Sequence, residues 1–208
     1  RLGDRSLERL TETAAKEEGA AFSPDGSRLA YVRDGNLFVR DLAADHERQL
    51  TTDGKDNEIL NGQNDWVYWE EIWNRQATGF WWSPDSQRIA FVSEIWIDLA
   101  NWDDQAKRRQ EREDSKMSGK RWSKAPVSYW DHYLDDREAH VFSIALTGGE
   151  PAAITRQSGF QLSKQEYDSD SYDLSPDGLE IAIATDTDRT GVRGNYDIVT
   201  LATCGCKP

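Results

Sequence analysis

Apolar and polar residues alternate along this chain in short runs, and the runs return in a fixed order. Ala21-Phe22-Ser23-Pro24-Asp25-Gly26 leads into Ser27-Arg28-Leu29-Ala30-Tyr31-Val32, and Phe80-Trp81-Trp82-Ser83-Pro84-Asp85-Ser86 leads into Gln87-Arg88-Ile89-Ala90-Phe91-Val92. A third copy runs from Tyr172-Asp173-Leu174-Ser175-Pro176-Asp177-Gly178 into Leu179-Glu180-Ile181-Ala182-Ile183-Ala184. A period of two predicts strands rather than helices. The Ser-Pro-Asp-Gly/Ser units between them are turn chemistry: Pro presets φ, Asp bonds its own backbone, and Gly or Ser follows where the chain reverses. Each copy therefore predicts a β-hairpin.

The alternation continues past the first copy. Asn36 to Leu42 follows the turn Arg33-Asp34-Gly35, and Glu47 to Thr51 supplies a fourth strand. This tail recurs at His140 to Leu146 with Ala152 to Thr155 after it, and again at Tyr196 to Leu201. Repeated four-stranded antiparallel units predict an all-β chain, a partial β-propeller of about three or four blades. The expected organisation is a lead-in over 1–19, with weak helical spacing at Leu7, Leu10 and Ala14, blades over 20–202, and an irregular tail over 203–208. The Ser-Pro-Asp copies are 60 and then 92 residues apart, which calls for insertions, placed at about 57–78 and 95–128. The second insertion carries a mixed charge run from Asp103 to Lys124 without apolar periodicity, read as a solvated helix or mobile loop. An open ring exposes strand edges, so the chain is expected to oligomerise.

Charge then removes whole classes of partner. Among 208 residues, 38 Asp and Glu outnumber 25 Lys and Arg, for a formal net charge of −13, so nucleic acid and anionic membrane surfaces are poor partners. No apolar run is long enough to span a bilayer, and no signal peptide is expected at the start of this sequence. Compartment is left open between periplasmic or extracellular and cytoplasmic. Cys204 and Cys206 are read as incidental terminal thiols, because an i, i+2 disulfide is strained. With His46, His132 and His140 at no related spacing, no metal or other cofactor is expected.

The nine tryptophans lead to the chemistry. Within Asn64-Asp65-Trp66-Val67-Tyr68-Trp69-Glu70-Glu71-Ile72-Trp73-Asn74-Arg75, two adjacent glutamates lie among Trp66, Tyr68, Trp69 and Trp73. Side-by-side carboxylates in an aromatic setting repel each other until a cation sits between them, and aromatic faces add cation-π attraction. Glu70 and Glu71 are therefore candidates to bind an amine, with the four aromatic residues lining the site. Read from the residues alone, an exposed acidic turn with core tryptophans fits as well.

The run Asp-Trp-Val-Tyr-x-Glu-Glu, followed by Phe80-Trp81-Trp82-Ser83-Pro84-Asp85, resembles the N-terminal propeller region of dipeptidyl peptidase IV and its bacterial relatives in the prolyl oligopeptidase family of serine peptidases. The resemblance implies that Glu70 and Glu71 lie on a short helix projecting into the propeller cavity and bind the free N-terminal amine of a peptide substrate. The stretches Pro126 to Phe142 and Tyr172 to Ile198 resemble acylaminoacyl-peptidase-like members instead. Family members carry a Gly-x-Ser-x-Gly nucleophile in a C-terminal α/β-hydrolase domain; this sequence contains no Gly-x-Ser-x-Gly, so no catalytic residue is expected here. His132 beside Asp131 or Asp135 reads as a packing or surface residue rather than a dyad. The implied function is substrate gating and amine recognition in a dipeptidyl-peptidase-like exopeptidase, with the hydrolase domain supplied in cis or trans. The alternative is a stand-alone propeller-like module binding a protein or peptide.

Overall fold

Walking the chain, strands β1 (Glu17–Phe22), β2 (Arg28–Arg33), β3 (Asn36–Asp41) and β4 (His46–Gln49) are followed by β5 (Phe80–Trp82), β6 (Arg88–Ile95) and helix α1 (Trp102–Ser115). Then come β7 (Ser128–Tyr129), β8 (His132–Tyr133), β9 (Glu138–Ala145), β10 (Ala152–Ala153), β11 (Tyr172–Leu174), β12 (Glu180–Asp186) and β13 (Tyr196–Ala202). This computed structural model describes residues 7–55, 58–64, 70, 75, 77–119, 121–122, 127–129, 132–133, 136–156, 158, 172–188 and 194–205. Every strand pairing is antiparallel, so the chain is all-β with one described helix.

Sheet 1 runs β1-β2-β3-β4, sheet 2 runs β10-β9-β6-β5, and sheet 3 runs β11-β12-β13; β7 and β8 form a separate pair. Sheet 1 is contiguous in sequence. Sheet 2 joins the second Ser-Pro-Asp hairpin to the strands around His140, with β6 and β9 paired from Arg88↔Ala145 to Ile95↔Glu138. The charged insertion therefore interrupts one hairpin.

Side-chain alternation explains how the sheets stack. Ile89 and Phe91 of β6, with Phe142 and Ile144 of β9, meet Ala30, Val32, Leu37 and Val39 of sheet 1. The intervening Ala90 and Val141 point the other way and join Tyr172, Leu174, Ile181 and Ile183 of sheet 3. Sheet 2 is buried on both faces, which is why its strands read as nearly continuous apolar runs. Trp81 and Trp82 divide between the two sides: Trp81 packs edge-on against Tyr172 at 4.0 Å, and Trp82 Nε1 donates to the Ala21 carbonyl at 3.2 Å. On the far side of sheet 1, Arg33 bonds both Glu17 and Glu47 and covers the Phe38 ring at 4.5 Å, closing that face with a charge network.

The Ser-Pro-Asp turns share one geometry. The Ser23 hydroxyl donates to Asp25 at 2.6 Å and accepts from the Arg28 amide at 3.0 Å. Ser83 repeats this with Asp85 and Arg88, and Ser175 with Asp177 and Glu180. The serine hydroxyl, with the Ser27 amide and hydroxyl, holds the Asp25 carboxyl down at about 2. The residue after each Asp is left-handed: Gly26 (φ 70°), Ser86 (φ 59°) and Gly178 (φ 69°). Ser86 occupies this costly conformation because its buried hydroxyl accepts the Asp25 amide at 3.1 Å, tying the turn of sheet 2 to that of sheet 1. At Gly178 a Cβ would stand 3.2 Å from Ser83 Cβ and 3.3 Å from Asp85 Oδ1, so this glycine lets the third turn pack on the second.

Ser86→Ala keeps the strain and loses the hydrogen bond, an expected cost of about 1 kcal/mol. Ser86→Gly loses the bond but relieves about 1 kcal/mol of left-handed strain, so its urea midpoint should stay near that of the wild type. Equal destabilisation by both would rule out strain at this position.

Of the two readings of the charge run, solvated helix or mobile loop, the structure shows the helix over Trp102–Ser115. Asn101 caps α1 by accepting the Asp104 amide, and Asp103 and Asp104 occupy the first turn, where the helix dipole favours acids. Its one buried residue, Gln105, accepts the Trp96 amide at 2.9 Å and donates to the Trp96 carbonyl at 2.7 Å. Among the described residues, no helix is long and apolar enough to cross a membrane. One expectation is corrected: Cys204 is disulfide-bonded rather than an incidental thiol. The segment is held in place around it: buried Thr203 bonds the carbonyls of Leu179 and Gly178, and Gly205 packs on the Ala153 backbone.

Candidate functional site

The double-Glu insertion leaves and re-enters the body through a two-stranded neck. Gln63 bridges Thr78, the Asn64 amide donates to the Ala77 carbonyl at 3.0 Å, and the Gly79 amide to the Gly62 carbonyl at 2.9 Å. Two glycines make this crossing possible. A Cβ on Gly62 (φ +75°) would meet Phe80 Cβ at 3.3 Å, and one on Gly79 would meet Asn64 Oδ1 at 3.1 Å. The neck is fastened to sheet 1, because the Asn61 amide donates to the Gly35 carbonyl at 2.9 Å and Gln63 Nε2 reaches Glu18 at 2.8 Å.

The helical insertion braces the same neck. Asn61 Nδ2 donates to Asp53 at 2.9 Å, and Asp53 lies 3.6 Å from Arg109 of α1. Lys55 pairs with Glu113 at 2.6 Å, and Arg137 Nη1 donates to the Glu58 carbonyl at 3.0 Å. The two insertions, separate in sequence, therefore share one polar seam.

Within the insertion, Glu70 has helical backbone and a half-buried side chain. Arg75, left-handed at φ 69°, donates from Nη2 to Glu70 Oε1 at 3.0 Å. Glu71, Trp66, Tyr68, Trp69 and Trp73 lie outside the described residues. A carboxylate beside a single cation can exchange one positive group for another. The neck was missed in the sequence, although Asn61-Gly62 and Gly79 bracket the insertion as turn signals; Arg75 carried no signal of its own.

A second polar cluster lies inside sheet 2. His140 is 1% exposed, with Nδ1 2.9 Å from Thr155 Oγ1, which also accepts the Val141 amide at 3.0 Å. Sheet 1 carries the same arrangement, in which Thr51 Oγ1 accepts the Leu37 amide and donates to Asn36 Oδ1. The other ring nitrogen, Nε2, lies 3.8 Å from Glu138 Oε2. Burial, with the Arg156 charge adding to it, holds the His140 pKa down at about 4. Arg156 is itself committed to the carbonyls of Ala100, Ile97 and Leu99, so the cavity of about 220 Å³ that it lines with Trp102 and Phe142 has no uncommitted guanidinium. His132 pairs with Tyr129 through its backbone, while Asp131 and Asp135 lie outside the described residues.

Residues 1–94, the segment holding the neck and the double Glu, match the dipeptidyl peptidase IV (DPP IV) N-terminal region. A probable dipeptidyl-aminopeptidase B of Chaetomium globosum is 40% identical over 81 residues, 39% of this chain and 8% of that protein. Prolyl endopeptidase FAP of Mus musculus is 44% identical over 73 residues, 34% of this chain and 9% of that protein. The chain thus spans less than a tenth of the length of these relatives. Among solved structures, Porphyromonas gingivalis dipeptidyl peptidase 4 aligns over 85% of this chain and 23% of its own, at 24% identity and a TM-score of 0.49.

Proposed function

We propose that this chain is the substrate-gating, amine-recognising propeller portion of a dipeptidyl-peptidase-like serine exopeptidase, its three sheets serving as blades. The carrying observation is the Glu70 segment, presented on a fastened neck within the stretch that matches the dipeptidyl peptidase IV N-terminal region. Glu70 and Glu71 bind the N-terminal ammonium of a peptide, while the aromatic residues around them, Trp66, Tyr68, Trp69 and Trp73, strengthen that attraction. Two carboxylates at a fixed distance from a scissile bond measure the substrate from its free end, which confines cleavage to short N-terminal units. The bond is broken by a nucleophile in a hydrolase domain, in cis or trans. Self-association through open blade edges accompanies this role.

The reading is tested by titrating the protein with alanyl-alanine amide and with its N-acetyl analogue. The free amine should bind and the acetylated peptide should not. Combining Glu70→Gln and Glu71→Gln should weaken amine binding about tenfold or more, the loss expected for charge-assisted hydrogen bonds. Equal binding of the two peptides, no binding of either, or indifference to the double substitution would overturn the reading.

A further inference from the structure

We infer that Arg75 is the resident counter-ion of the double-Glu site, holding Glu70 until a substrate ammonium displaces it and thereby setting how tightly a free N terminus is bound. The inference rests on the amine-binding reading of Glu70 and Glu71.

Arg75 has the geometry of a displaceable ligand. Its guanidinium touches Glu70 through one nitrogen and one oxygen, 3.0 Å apart, rather than through the two-pronged contact that a structural Arg–carboxylate pair adopts. The Arg75 side chain is 76% exposed against 33% for Glu70, so the cation lies on the solvent side of the carboxylate, where an incoming group arrives. Among the described residues Arg75 has no hydrogen bond or ion pair other than that with Glu70. Such exposed pairs are weak, which makes the exchange cheap.

Charge count makes it an exchange rather than an addition. Glu70 and Glu71 carry two negative charges and Arg75 one positive, leaving one negative charge for one ammonium. An ammonium close to the guanidinium would meet a like charge, and like charges in contact repel. The compact ammonium, with three donors, can bond two carboxylates at once. Removing the guanidinium should therefore tighten amine binding, whereas removing a residue that positions Glu70 would loosen it.

The test uses the same two peptides at low salt, on the intact protein and on its Arg75→Gln and Arg75→Lys variants. Arg75→Gln should raise the affinity for alanyl-alanine amide about two- to fivefold, the range an exposed ion pair allows, and N-acetyl-alanyl-alanine amide should stay unbound. Arg75→Lys, which keeps the competing charge, should stay within about twofold of wild type. Unchanged or weaker amine binding in Arg75→Gln would overturn the inference. If the Glu70→Gln, Glu71→Gln pair abolishes binding while Arg75→Gln has no effect, Arg75 fails alone; if the Glu variants bind normally, the amine reading itself fails.

Discussion

Lowering the pH from 6.5 to 4.5 is expected to remove most of a contribution of up to about 3 kcal/mol to folding stability, and His140→Asn should abolish that slope. The cause is the imidazole buried in sheet 2, whose pKa falls from the ordinary 6.5 to about 4 in the folded chain. In that interval the unfolded chain takes up a proton that the folded chain refuses, so the unfolded state gains as pH falls; the contribution is fully present above 6.5 and gone below 4. The facing groups are Thr155 at Nδ1, Glu138 at 3.8 Å from Nε2, and the Arg156 charge, which opposes protonation. Carboxylates such as Glu47, lowered by its hydrogen bond from Arg33, lose their share at lower pH, leaving the upper window to the histidine. Asparagine is the informative replacement because Asn36 fills this place in sheet 1. Urea midpoints measured across this range should slope for the wild type and flatten for the variant; parallel slopes would exclude His140 as their source.

Phe142→Ala should cost about 3–5 kcal/mol, the range for emptying a buried phenylalanine site, and lower Tm by about 10 °C or more. Phe142 is 1% exposed, stacks on Phe91 at 5.6 Å and meets Trp102, the first residue of α1, at 5.2 Å. The substitution therefore opens the interface between sheets 1 and 2 and strips the surface on which the helix is seated. Loss of helical signal alongside the lower Tm, followed by circular dichroism, is the expected pair of results. A change under 1 kcal/mol would mean that the site collapses around the smaller side chain.

The strands were legible because their causes are local. Turn chemistry at Ser23-Pro24-Asp25, Ser83-Pro84-Asp85 and Ser175-Pro176-Asp177, with apolar residues at every second position, marked both hairpin arms of all three sheets. The pairing of β6 with β9 followed from the repeat, since His140 to Leu146 copies the strand after the first hairpin with an insertion between, but its register, Arg88↔Ala145 to Ile95↔Glu138, was not legible. The capping residue Asn101 announces α1 only once its end is known, and the Gln105 bond to Trp96 depends on the chain folding back. At the candidate site, the paired glutamates stood out by their own chemistry. The neck beneath them and the Arg75 contact arise from tertiary geometry: a carbonyl on Gly35, and a guanidinium on a left-handed residue that meets Glu70.

The interruption of sheet 2 also bears on the order in which the protein folds. Sheet 1 closes with tight turns, so its contacts are local and form quickly. β6 and β9 meet only after a 42-residue excursion, residues 96–137, whose closure costs about 2 kcal/mol more than that of a four-residue turn. The β6–β9 pairing is therefore expected to form after sheet 1. The local β5–β6 hairpin brings Phe80, Ile89 and Phe91 onto Ala30, Val32, Leu37 and Val39, whereas Phe142 and Ile144, the rest of that cover, arrive only with the distant strand.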